Sequence, residues 1–98
     1  MNKLAITAAL GLSVALAVPV HAATPTAAQK QEFFEVCLNI SQNQELCACK
    51  AEAAMSLIDE RFMGVVVSSM KGGSPKSEDY AAYNAYVAKS NQVCKPNY

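Results

Sequence analysis

The sequence is most informative in what it withholds. Its only histidine is His21, no Cys-x-x-Cys pair occurs, and the chain carries eight basic against eight acidic residues. The missing Cys-x-x-Cys removes the usual signature of a thiol–disulfide enzyme, and with it Cys-x-x-Cys-His haem attachment. The even charge balance leaves no basic stripe for nucleic acid and no polybasic patch for an anionic membrane. Strand-like alternation, internal repeats and low-complexity tracts are also missing, so the chain is expected to be all-α.

The one long apolar run is N-terminal. Lys3 supplies a positive start, Leu4 to Val18 is rich in Ala, Leu and Val, Pro19 breaks it, and Val20-His21-Ala22 forms a processing site. Residues 1–22 are therefore expected to be a cleaved secretory signal peptide. The run is short for a membrane span, and no cysteine follows it to carry a lipid. Residues 23–98 are then expected to form a single domain, periplasmic or secreted, with no stable membrane anchor. Cleavage removes His21 and Lys3, leaving seven basic residues against the eight acids.

The turn signals divide this domain into helices. Thr26 and Gln29 have capping-box spacing, and Phe33, Cys37 and Ile40 then recur on one stripe beside Phe34. The polar segment 39–43 ends that helix near Ile40, and Ser41 with Gln44 repeats the cap spacing. A second helix is expected over 44–70, its apolar face running through Cys47, Ala51, Ala54, Ile58, Phe62, Val65 and Val66. Asp59 is a candidate cap for a new helix, and Gly64-Val65-Val66-Val67 is a weak helix former. The favoured reading is one helix kinked between Asp59 and Gly64, which gives a three-helix bundle; a break there gives four. Gly72-Gly73 stops the chain, Ser74-Pro75 restarts it, and Tyr80, Tyr83 and Val87 make the last stripe.

Four cysteines, Cys37, Cys47, Cys49 and Cys94, follow the leader. An even number in a short exported chain predicts two disulfides, and a domain of this size needs such staples. Cys47 and Cys49 diverge by about 200° around a helix, so they seek different partners. Cys37 and Cys47 lie symmetrically about Gln42, the middle of the first turn, and an antiparallel third helix returns Cys94 toward Cys49. The expected pairs are Cys37–Cys47 and Cys49–Cys94, with Cys37–Cys49 and Cys47–Cys94 as the alternative.

The pattern Phe33-x3-Cys37, Cys47-x-Cys49, an amphipathic helix and a late Cys94 resembles small exported bacterial helical proteins of the F-x3-C…C-x-C…C type. That resemblance covers most of the domain, and it implies helices and disulfides but no catalytic residue. The small acid-stress periplasmic chaperones share only size, export and a long-span disulfide.

These features point to a non-enzymatic accessory, inhibitor or adaptor that binds another periplasmic or extracellular protein, with no cofactor and no metal. Phe33, Phe34 and Tyr86 are the candidate interaction residues, since adjacent aromatics cannot share a narrow stripe and Tyr86 lies off the last one. Two other readings are an acid chaperone and a copper or zinc carrier using the cysteines, with Met55, Met63 and Met70 as soft neighbours. Asp59 and Glu60 are neighbours, not a facing acid/base pair.

Overall fold

A computed structural model describes residues 22–95. The leader expected over residues 1–22 lies outside them as far as residue 21. Among the described residues the chain forms four α-helices and a short 3₁₀ turn, with no strand.

Helix α1 spans Ala27–Ser41 and opens on the expected capping box. Thr26 Oγ1 accepts from the Gln29 N–H at 3.0 Å, and Gln29 Oε1 accepts from the Thr26 N–H at 2.9 Å. Gln42 ends the helix in the left-handed region at φ 55°, donating its N–H to the Leu38 carbonyl. Such a conformation closes a helix but is costly for a residue with a side chain.

Helix α2 spans Gln44–Leu57. Its cap is Asn43, whose Oδ1 accepts from the Leu46 N–H at 3.0 Å, so the Ser41/Gln44 cap does not form. Ser41 is the last residue of α1, where its hydroxyl donates to the Cys37 carbonyl and accepts from the Asn43 N–H.

The favoured kinked helix gives way to a break. Ile58 is extended at φ −136° and ψ 165°, and Asp59 caps a separate helix α3, Glu60–Met70, by accepting from the Phe62 N–H at 2.8 Å. The start of the domain fills the break. The Ala23 carbonyl accepts from the Glu60 N–H at 2.8 Å, Gln29 Nε2 donates to the Glu60 carbonyl at 3.0 Å, and Pro25 is buried. Apolar spacing runs unbroken across Ile58, so side-chain periodicity alone gives no sign of the interruption.

Gly72 turns the chain at φ 106°, and the Gly73 N–H reaches the Ser68 carbonyl. A side chain on Gly73 would place its Cβ 2.9 Å from Ser68 Oγ and 3.1 Å from the Ser68 carbonyl oxygen. The helical restart comes later than Ser74-Pro75. A 3₁₀ turn over Ser77–Asp79 leads into α4, Tyr80–Val93, and Arg61 Nη2 donates to the buried Asp79 carboxylate at 3.0 Å.

Both expected disulfides are present. Cys37–Cys47 joins α1 to α2 with Cα atoms 5.6 Å apart, and Cys49–Cys94 joins α2 to the end of α4 at 5.8 Å. The core between the helices contains Phe33, Cys37, Cys47, Ala51, Ala54, Phe62, Met63, Val66, Val67 and Tyr86. Helix α1 packs against α2 and α3, whereas α4 packs chiefly against α2. The α4 stripe is rotated from the expected one: Tyr80 is 46% exposed, Tyr83 and Val87 are half-buried, and Tyr86 and Ser90 are buried.

Candidate functional site

Because α4 is fastened to α2, a hollow of about 220 Å³ remains where α4 faces α1 and α3. Phe33, Val66, Met70, Tyr83 and Val87 supply much of its apolar wall, and Ile40, 62% exposed, stands at its mouth. Helical spacing explains the convergence. Phe33, Cys37 and Ile40 share one face of α1, Val66 and Met70 are one turn apart on α3, and Tyr83, Tyr86, Val87 and Ser90 share one face of α4.

Polar side chains interrupt this wall: Ser41, whose hydroxyl is engaged by the α1 end, and then Lys50, Tyr86 and Ser90. Lys50 reaches it from α2 and is half-buried, its Nζ 2.5 Å from Asn91 Oδ1. Burial holds its ammonium pKa below the ordinary lysine value. Tyr86 and Ser90 lie one turn apart, with only 8% and 1% of their surfaces exposed. Burial pushes the Tyr86 phenol up to about 12, with the Ser90 hydroxyl opposing that shift in part and Tyr83 adding a small upward push. Yet the two hydroxyls do not meet hydrogen-bond geometry, and neither has a protein partner among the described residues. An unsatisfied buried hydroxyl costs about 1–3 kcal/mol, so two beside one hollow call for an explanation.

The candidate interaction residues do not form one surface. Phe33 and Tyr86 are buried in the core and line the hollow. Tyr86 faces inward because Cys94, two turns later, is drawn to Cys49. Phe34 alone stays partly open. It lies about 100° around α1 from Phe33, in a shallow groove between α1 and α2 with Ala27, Ala48 and Ala51. Lys30 and Glu52 pair across the groove's edge at 2.5 Å, and Gln31 completes the polar rim.

The other sequence candidates have structural placements. All four cysteine sulfurs are in disulfides, so none is available as a thiolate ligand in this oxidation state. Among the described residues, no group of three or more His, Cys, Asp or Glu side chains is placed to hold a metal. Met63 is fully buried in the core, and Met55 and Met70 pack against it half-buried. Asp59 is engaged as a helix cap. No described helix is long and apolar enough to cross a membrane.

Sequence reasoning missed Lys50 and Ser90. Ser90 had a signal, since it stands four residues from both Tyr86 and Cys94 on one helical face. Lys50 had none, because a lysine beside a cysteine reads as an ordinary solvated residue. None of the protein-family models, curated proteins or solved structures compared with this chain matches it.

Proposed function

We propose that this chain is a non-enzymatic accessory, inhibitor or adaptor of an oxidising, extracytoplasmic compartment, and that it binds another protein through the α1/α2 face. Two disulfides support the compartment, since such bonds persist where thiols are not kept reduced. The observation that carries the binding reading is the Phe34 groove. An aromatic ring sits half-open on a floor of alanines, ringed by Lys30, Gln31 and Glu52. An aromatic centre inside a polar rim is the composition of a protein-binding hot spot. The Cys37–Cys47 bridge joins the two helices that form the groove. Less flexibility is then lost on binding.

The test is affinity capture from periplasmic extract using the disulfide-intact domain and an Ala48→Arg variant. Ala48 is exposed in the groove, so arginine there blocks access while leaving the core untouched. A partner retained by the parent chain and lost with unchanged helicity in Ala48→Arg is the expected result. Reproducible absence of a partner from a clean monomer, or capture indifferent to Ala48→Arg, would overturn the reading.

A further inference from the structure

We propose that the hollow between α4 and the α1/α3 pair is a binding site for a small apolar monocarboxylate, its body against Phe33, Val66, Met70 and Val87 and its carboxylate at Lys50 near Ser90. This site is separate from the Phe34 groove, which lies on another face of α1.

Size sets the first limit. An engineered cavity of about 150 Å³ lined by aliphatic and aromatic side chains holds benzene. A hollow of about 220 Å³ therefore has room for a ring, or a short alkyl chain, bearing a short arm. Charge sets the second. Lys50 is the only ionic side chain in the lining, and it has no ion-pair partner among the described residues. Its one hydrogen-bond acceptor among the described residues is the neutral Asn91 amide, which ties the ammonium to α4 beside Ser90 in the chain. A cation would be repelled there, and a neutral apolar molecule would desolvate the ammonium without compensation. A carboxylate supplies the missing charge and also acceptor atoms for hydroxyl donors. Tyr86 and Ser90 carry such hydroxyls at the wall, each almost wholly covered and without a protein partner among the described residues, so a carboxylate reaches them only when a side-chain rotation uncovers them. The exposed edge at Ile40 provides the approach from solvent.

The experiment is titration of the disulfide-intact domain with 3-phenylpropionate, octanoate and the neutral 3-phenyl-1-propanol, followed by heteronuclear NMR. Lys50→Gln and Lys50→Met are run beside the parent chain; Lys50 is half-buried at the edge of the fold, so both should stay folded. At least one acid should bind saturably, with the largest shifts at Val66, Met70, Val87 and Ser90. Its affinity should fall about tenfold or more in both variants, the loss expected for a charge-assisted hydrogen bond, and the alcohol should bind the parent chain more weakly than the acid. Three outcomes overturn the proposal: no saturable binding of either acid, shifts confined to other surfaces, or equal affinity for alcohol and acid with no dependence on Lys50.

Discussion

Replacing Cys49 and Cys94 together by alanine isolates what the long-range bridge contributes, because no unpaired thiol remains. The bridge spans 45 residues, whereas Cys37–Cys47 spans 10. In the chain-entropy description, a closed loop of the longer length is worth about 4 kcal/mol and one of the shorter length about 2.7 kcal/mol. The loops do not overlap in sequence, so opening one leaves the other's restriction of the unfolded chain intact. A loss of about 4 kcal/mol is most of the stability of a marginal small domain. At about 4–8 °C per kcal/mol for a domain of this size, Tm should fall by about 16–32 °C.

Helix α4 should melt first. It packs chiefly on α2, and its other ties include the buried Tyr86, half-buried Tyr83 and Val87, the Lys50–Asn91 hydrogen bond and the Arg61–Asp79 pair just before its first turn. An isolated helix of 14 residues is marginal in water. Circular dichroism melts and urea titrations of this variant and of Cys37→Ala/Cys47→Ala, which opens the shorter loop, provide the measurement. The single Cys94→Ser variant should also form disulfide-linked dimers on non-reducing gels, because Cys49 is then unpaired. A Cys49→Ala/Cys94→Ala protein melting within about 5 °C of the parent chain would refute the loop-entropy reasoning.

Three further outcomes follow from local geometry. Gln42→Gly should stabilise the fold by about 0.5–1 kcal/mol in urea titrations, because glycine adopts φ 55° without a steric penalty; no gain would mean that the Gln42 side chain supplies a compensating contact. Asp59→Ala should cost about 1 kcal/mol by removing the acceptor from the Phe62 N–H, and Asp59→Asn should recover most of it. Tyr86→Phe addresses alkaline stability: a phenol raised from 10.0 to about 12 retains its proton in the folded state after the unfolded chain has lost it. Stability is therefore full below about pH 10 and falls as pH rises toward about 12, by about 2–3 kcal/mol. The phenylalanine variant should lack this component in melts across that range, and an identical decline in both proteins would show that Tyr86 does not contribute.

Disulfide pairing was legible because two simple geometric facts constrain it. Cys47 and Cys49 diverge around one helix, and Cys37 mirrors Cys47 about the Gln42 turn. The Thr26 cap was legible because its hydrogen bonds are local. The break at Ile58 was not decidable from apolar spacing, since Ala54, Ile58, Phe62 and Val66 keep a four-residue interval across it. What decides it is the Asp59 cap and the distant Ala23 carbonyl, which receives the first N–H of α3. In α4, tyrosines at 80, 83 and 86 drift around a helix and offer several inward faces. The staple at Cys94 selects the one through Ser90, Tyr86 and Tyr83, so counting back from Cys94 in steps of three and four would have found it. The hollow has no local signature, because its residues come from all four helices.

The hollow and the long-range bridge are two sides of one architecture. Protein interiors are close-packed, and a closed cavity of about 220 Å³ would cost about 5 kcal/mol by the measured dependence of stability on cavity volume. Access from solvent near Ile40 lowers that figure, and two unsatisfied hydroxyls add to it. A small domain held by packing alone would relieve the cost by letting α4 slide onto α1 and α3. Here that movement is opposed at the C-terminal end of α4, where Cys94, just after its last turn, is bonded to Cys49 on α2. Lys50 with Asn91 adds a second tie to α2 close to Cys94. The covalent tie stabilises the fold by about the amount such a cavity costs, and it does so without filling the space. Helix α4 can thus present Tyr86 and Ser90 to an open hollow while remaining part of a folded domain.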